Sequence, residues 1–394
     1  MIHFVELLLF LLAVPALASC GYLFLLTLLS AAPRAQGVIP RRLRFDVIVP
    51  AHNESAVIER CVASLKRIDW PADRFRVVVV ADNCTDNTAE LVRNAGADAW
   101  ERHNEELRGK GYALDHAFAL SRAQGRADAV VVVDADSEVS TNLLAAFAAR
   151  IEQGAQAVQA HYGVLNPRAS WRTRLLALAH GSFHTVRSRA RERLHLSCGL
   201  RGNGWCVTHA VLKQVPYRAY SLTEDLEYGI ELGLAGHRVW YADEAHSDAD
   251  MVSAEPVARK QRQRWEHGRF QLVRDKTLPL LKAALQRRNA VCLDLALDLM
   301  VLPISYVAFN VILLLLLAAG VTWWQAALQN WLWLGFACMA GLVLYVLRGA
   351  QLSGMGWRGF VDLAAAPLFL VWKLATMFRR RESQGWVRTE RERP

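Results

Sequence analysis

Residues 128–136 read DAVVVVDAD, four valines in a row closed by two aspartates one residue apart. A β-branched run with no polar face is the pattern of a strand buried on both sides, as in a sheet that carries helices on each face. Its neighbours repeat the arrangement. FDVIVP (45–50) and FRVVVVAD (75–82) read as strands, with SAVIERCVASLKRI (55–68), DNTAELVRNAG (86–96) and ALDHAFALSRAQG (113–125) as helices between them. Strands alternating with helices predict an α/β domain built on a parallel sheet.

Ligands of such sheets bind beyond the carboxyl ends of the strands. The acids of this chain stand there: Asn53 and Glu54 follow the first strand, Asp82 the second, and Asp134 and Asp136 the third. Two carboxylates as close as Asp134 and Asp136 repel unless they are solvated, protonated or share a cation. Such a hard-oxygen pair suits Mg2+ or Mn2+, which leaves open positions for phosphate oxygens. Neither a Walker loop nor a GxGxxG turn occurs, so a nucleotide would be held through its base, its ribose and a bridging metal.

The 394 residues are 53% hydrophobic, and the excess lies at the two ends. Residues 4–30 carry one charge, Glu6, and are long enough to cross a bilayer core, which takes roughly 20 residues. A cleaved lipoprotein signal ending at Cys20 is the alternative. The run lacks a basic n-region and continues for ten residues after Cys20, so an uncleaved anchor is expected. Residues 295–319 and 326–347 read as two further spans. The run 359–378 contains Asp362, Pro367 and Lys373 and reads as an interfacial, re-entrant or third C-terminal membrane helix. Arg34, Arg41, Arg42 and Arg44 follow the first run, which places the middle domain on the cytoplasmic side of a multi-pass cell-membrane protein.

The expected organisation is an anchor over 1–32, a cytosolic domain over 42–275, two membrane helices over 292–348, the run 359–378 and a basic tail over 379–394. The net charge of +9 fits anionic lipid and anionic ligands. No zinc finger, RNA-recognition signature or basic-region heptad accompanies it, so nucleic acid is not expected as a partner. Seven scattered cysteines without CxxC spacing suggest neither a disulfide framework nor a metal cluster.

VPAHNE (49–54), VVADNCTDNT (79–88), RGKGYAL (108–114), DAD (134–136), TED (223–225) and QRQRW (261–265) stand in one order. Together they resemble family-2 glycosyltransferases, and within them the membrane-embedded group of hyaluronan, chitin, cellulose and poly-N-acetylglucosamine synthases. The resemblance covers about residues 45–270 and the flanking spans. It implies a GT-A type, Rossmann-like nucleotide-diphospho-sugar transferase domain flanked by transmembrane helices. It also implies that Glu54 and Asp82 contact the nucleoside, that Lys110 lies near the nucleotide, and that Asp134 and Asp136 meet the metal and diphosphate. Asp225, with Glu224 beside it, would be the general base, and Gln261, Arg264 and Trp265 would close over diphosphate and acceptor. A hydroxyl attacking an anomeric carbon needs a carboxylate within hydrogen-bond reach, and an arginine gives the departing phosphate a planar fork of donors.

Plainer readings exist for each motif. TED before LEYGIEL is also a capped helix start with Thr223 as N-cap. VARKQRQRWEHGRFQLVR is also a basic amphipathic helix for a membrane surface. Lys110 alone is also a surface lysine. His246 in YADEAHSD reads as structural rather than as a metal ligand, and Gly202-Asn203-Gly204 as a tight turn.

The expected function is an inverting transfer from a nucleotide sugar, a uridine diphosphate sugar first, with Mg2+ or Mn2+, to a growing polysaccharide, with other exopolysaccharide-assembly proteins as possible partners. The alternatives are single transfer to a polyprenyl-phosphate or glycolipid acceptor, and a non-catalytic nucleotide-binding membrane protein.

Overall fold

In the computed structural model, residues 2–33, 37, 40–252 and 255–365 are described. Eight strands form one sheet: β1 (Phe45–Ala51), β2 (Phe75–Asp82), β3 (Asp98–Arg102), β4 (Ala129–Val132), β5 (Ser137–Val139), β6 (Ala157–Val164), β7 (Trp205–Thr208) and β8 (Val239–Ala249). Their order is β3-β2-β1-β4-β7-β6-β8-β5. The first four are parallel to one another, as the valine runs imply.

Side-chain alternation sorts these valines to two cores. Val47, Val49, Val77, Val79 and Val131 pack with Ile58, Val62 and Leu65 of the helix Ile58–Lys66 and with Leu143 and Phe147 of Leu143–Ile151. Ile48, Val80, Val130 and Val132 pack with Leu114, Ala117 and Phe118 of Lys110–Gln124 and with Tyr228 and Leu232 of Glu224–Leu234. With both faces covered, the strands are buried without interruption, and their carboxyl ends become the open edge.

The sheet departs from the all-parallel expectation beyond β4. β7 runs antiparallel to both its neighbours, β4 and β6, and β5 returns antiparallel along β8. β3 was not expected either. Its sequence, DAWER, is short, charged and only partly buried because it is the edge strand.

Three helices among the described residues are long and apolar enough to cross a membrane: His3–Leu29, Ile304–Trp324 and Ala326–Leu352. At 1.5 Å per residue even the 21-residue helix reaches about 31 Å, the thickness of a hydrocarbon core. Leu9, Ala13, Ala16, Cys20 and Leu23, spaced by threes and fours, bury one stripe of the first helix against Val307, Val311, Leu314, Cys338, Leu342 and Tyr345. Phe10, Leu11, Val14 and Leu17 on its other faces stay exposed, as a lipid-facing surface requires.

The run 295–319 is not one helix. Ala290–Met300 is separate, the chain breaks through Val301 to Pro303, and the spanning helix begins at Ile304. Pro303, which has no amide hydrogen to continue the first helix, stands at the N-cap of the second, and Asp294 and Asp298 of the first helix are buried in ion pairs with Arg187 and Arg191. Of the run 359–378, the turns Arg358–Asp362 and Leu363–Ala365 are seen. Its remainder and the tail 379–394 lie outside the described residues.

Candidate active site

The open edge of the parallel strands forms one wall of a cavity of about 720 Å³. His52 and Glu54 after β1, Asp82 at the end of β2, and Asp134 and Asp136 after β4 all line it. The loops carrying the first two motifs are tied together. Asn53, at φ 56°, accepts through its side-chain oxygen from the amides of Thr85 (2.7 Å) and Asp86 (3.2 Å). The Glu54 amide donates to Thr88 Oγ1 at 3.0 Å. Arg102 of β3 holds Asp82 at 2.5 Å, so the unexpected edge strand supplies the partner of a predicted site residue.

Lys110, the first residue of its helix, is no surface lysine. Its Nζ lies 2.6 Å from Asp134 Oδ1 and 3.3 Å from Glu224 Oε1, and donates to the Gly202 carbonyl at 2.8 Å. Burial opposes its charge, but Asp134 and Glu224 outweigh burial and push its pKa above the ordinary lysine value. One ammonium therefore joins three motifs, and it answers the repulsion between the two aspartates. Asp134 is neutralised by Lys110, while Asp136, buried, keeps its carboxylate on the cavity wall.

Glu224 and Asp225 open the helix Glu224–Leu234, with Thr223 at the N-cap position. The capping bond expected of Thr223 is not made: its Oγ1 is buried without a hydrogen-bond partner. What packs there instead is Gly268, where a Cβ would stand 2.7 Å from Thr223 Cγ2 and 2.9 Å from Oγ1. Gly268 belongs to the helix Glu255–Arg287, which also carries QRQRW, and Gln261, Arg264 and Trp265 line the cavity. The basic stretch thus faces the site. Gly268→Val forces this helix away from the TED turn and is expected to lower turnover about tenfold with the fold retained, because small misplacements of positioning groups are costly. Steady-state rates beside a circular-dichroism melt check this.

Burial, followed by the adjacent Glu224 charge, raises the Asp225 carboxyl to about 7. A carboxylate with that value can accept a proton near neutral pH. The turn facing it is tight, as read: Gly202 and Gly204 have φ of 87° and 67°, and Asn203 between them accepts from the Asp134 amide through Oδ1 at 3.0 Å.

Asp250 also lines the cavity, and its amide donates to the Asp136 carbonyl at 3.2 Å. The sequence reading missed it, although a signal existed. Residues 248–250 repeat the DAD of 134–136, and the β5–β8 pairing sets Ser137 opposite Ala249, so the two motifs meet. His246 gathers with His161 and Asp248, ligand atoms within 4.8 Å of one another, but none of the three lines the cavity. On the cavity wall itself stand the carboxylates of Asp134, paired to Lys110, Asp136, and Asp250, paired to Arg60.

A family model described as "Glycosyltransferase like family 2" matches residues 40–268. The chain is 28% identical over 236 residues to the beta-monoglucosyldiacylglycerol synthase of Synechocystis sp., covering 57% of this chain and 47% of that protein. It is 22% identical over 246 residues to probable glucomannan 4-beta-mannosyltransferase 15 of Arabidopsis thaliana, covering 60% and 46%. The chain spans about half the length of the curated relatives it matches. Among solved structures, a mannosyltransferase from Pyrobaculum calidifontis in complex with GDP-Man and Mn2+ aligns with a TM-score of 0.51 at 20% identity, over 88% of this chain and 98% of that one. That likeness is one of fold, a GT-A type Rossmann-like sheet with helices on both faces. With more than half its length matched by the family model and six motifs gathered around one cavity, the chain belongs to the glycosyltransferase-like family 2.

Proposed function

We propose that the protein is a membrane-embedded, inverting glycosyltransferase that moves a sugar from a nucleotide donor to the hydroxyl of a lipid acceptor. One observation carries the choice of acceptor. The cavity that contains Asp136 and Asp225 continues between Leu175, Leu178, Pro303, Ile304, Ala308, Leu342 and Val346, residues of the helix Trp171–His180, of the two C-terminal candidate spans and of the turn before them. A soluble acceptor has no use for such a wall, whereas a lipid enters along it with its headgroup leading.

In this reading Glu54 and Asp82 hold the nucleoside, and Lys110, Arg264 and Gln261 surround the diphosphate. The hydroxyl loses its proton to Asp225 as its oxygen bonds to the anomeric carbon, and the nucleoside diphosphate leaves with the bonding electrons. A single displacement inverts the anomeric centre. The donor set fits a divalent cation. Asp136 offers hard oxygens on the cavity wall, flanked by Asp134, paired to Lys110, and Asp250, paired to Arg60. Mg2+ or Mn2+ held there would neutralise charge on the departing diphosphate. The basic residues after the first candidate span support a site on the cytoplasmic side.

A growing polysaccharide is the second reading, favoured by Trp265 on the cavity wall, where a sugar ring can stack. Radiolabelled nucleotide sugar offered to the reconstituted protein separates the two. Label that partitions into organic solvent supports the lipid acceptor, and alkali-stable polymer supports the polysaccharide.

The pH profile follows from Asp225. Because the base works only when ionised, kcat/KM is expected to rise about tenfold per pH unit below about 7 and to level off above it. A rate already flat from pH 5 upward contradicts the assignment.

A further inference from the structure

Beside the base, the cavity wall carries an excess of buried positive charge. Four guanidiniums, of Arg187, Arg191, Arg201 and Arg269, face two carboxylates, of Asp294 and Asp298. Asp298 is committed, and Asp294 accepts from Tyr22 Oη through Oδ1 while its Oδ2 is ion-paired to Arg191 without a hydrogen bond. Arg191 lies 2.9 Å from Asp294 and 2.7 Å from Asp298, and donates to Tyr22 Oη at 2.6 Å. Arg187 donates to Asp298 at 2.7 Å and to Tyr345 Oη at 2.9 Å.

Arg201 and Arg269 are served less well. Arg201 is 5% exposed, approaches Asp298 no closer than 3.9 Å, and its Nε and Nη2 are buried without hydrogen-bond partners. Arg269 donates only to main-chain carbonyls at the end of the Ala290–Met300 helix, those of Asp298, Leu299 and Val301 (3.0 Å to the last). Burial, and the charges of the neighbouring arginines, pull both below the ordinary arginine value, with Asp298 opposing. Arg187, Arg201 and Arg269 converge on one ring, their guanidinium carbons 4.7, 4.6 and 5.7 Å from the centre of Phe183, and all four residues line the cavity.

Uncompensated charge in a low-dielectric site is expensive, and donors left without acceptors add to the cost. An anion from outside the chain removes both terms. We infer that Arg201 and Arg269, with Arg187 behind them, form a phosphate subsite for the acceptor. The inference rests on the lipid-acceptor reading and narrows it.

The position sets the chemical class. Arg201 directly precedes Gly202, whose carbonyl accepts from Lys110 and whose Cβ position lies 3.6 Å from Asp225 Oδ2. On the other side stand Val301, Pro303 and Tyr345. A base and an anion subsite side by side, opening toward the membrane, match a headgroup with a hydroxyl a few bonds from a phosphodiester. That is a glycerophospholipid with a hydroxylated headgroup. A lipid monophosphate without a hydroxyl would attack through its own oxygen and leave Asp225 idle.

Binding is measured without donor, so that no turnover is involved. The thermal transition of the detergent-solubilised full chain is followed against short-chain phosphatidylglycerol, short-chain diacylglycerol and inorganic phosphate, for wild type, Arg201→Gln and Arg187→Gln. Phosphatidylglycerol is expected to raise the transition of wild type, diacylglycerol to do so less, and Arg201→Gln to weaken the apparent affinity for phosphatidylglycerol about tenfold or more. Without ligand, Arg201→Gln is expected to melt no lower than wild type, because it removes an unpaired charge, whereas Arg187→Gln melts lower. Equal protection by both lipids, unaltered binding by Arg201→Gln, or an Arg201→Gln protein that melts well below wild type would each overturn the subsite. Protection by inorganic phosphate alone, lost in Arg201→Gln, would keep the anion site and overturn its assignment to a lipid. Anionic-lipid binding without sugar transfer to any lipid would overturn the lipid-acceptor reading and, with it, the subsite's assignment to an acceptor, leaving only an anionic-lipid site.

Discussion

Asp225→Asn is expected to lower sugar transfer by at least about 10²-fold, the scale of a positioned general base. The substitution keeps the shape of the side chain and removes only its capacity to take a proton. Donor affinity should change little, because Lys110 touches Asp134, Glu224 and the Gly202 carbonyl rather than Asp225 in its close contacts. The result to look for is a fall in kcat with the donor dissociation constant within about twofold of wild type, a separation that a misfolded protein does not produce. Retention of full turnover would remove Asp225 from the mechanism. Activity that then moved with Glu224→Gln would transfer the role to its neighbour, which lies 3.3 Å from the Lys110 ammonium.

The second large effect is structural. Asp298→Asn should destabilise the protein by about 3–5 kcal/mol, the cost of removing one partner from a buried ion network. The magnitude follows from how many groups lean on it. Arg187 and Arg191 both lie 2.7 Å from Asp298 Oδ1, and Arg201 is held at long range by Oδ2. These charges hold the Asp298 pKa well below the ordinary carboxylate value in spite of burial. The sign of the pH effect follows: a depressed carboxyl contributes stability above its unfolded pKa and loses it as pH falls through the folded one. Wild type should therefore lose this contribution only in strong acid, and the Asp298→Asn protein should lack it at neutral pH. A thermal melt within a degree of wild type would show that the arginines find their neutralisation elsewhere.

Much of the fold was legible because the parallel strands are buried on both faces. Val77 to Val80 and Val130 to Val133 leave no residue for solvent, and with amphipathic helices between them such runs point to a parallel sheet covered on both faces. β3 was illegible for the opposite reason. An edge strand with one paired side and charged residues carries no hydrophobic signal, and yet its Arg102 fixes Asp82. WCVT at 205–208, the strand β7 that follows the glycine turn, was illegible as well, since four residues cannot show whether they pair parallel or antiparallel.

The site divides in the same way. Glu54, Asp82, Asp134, Asp136, Glu224, Asp225, Gln261, Arg264 and Trp265 all line the cavity, and their residue types and order already suggested it. What the motifs left open was the pairing between them. That Lys110 neutralises Asp134, and Arg60 neutralises Asp250, depends on a fold that brings residues 110, 134, 202 and 224 to one point and sets 60 beside 250. The membrane end misled the sequence reading because Asp298 sits in an apolar run. Hydropathy averages it away, whereas in the structure it lies in a helix that ends at Met300, before the candidate span, and pairs closely with Arg187 and Arg191.

The most direct test of the central claim is release of nucleoside diphosphate by the reconstituted protein, offered a panel of UDP- and GDP-sugars with Mg2+ or Mn2+ and phosphatidylglycerol as acceptor, beside Asp136→Ala. The account predicts release with one donor, dependent on the cation, stimulated by the lipid and lost in Asp136→Ala. Release that persists at the wild-type rate in Asp136→Ala, or silence across the panel in the presence of cation and anionic lipid, would contradict it.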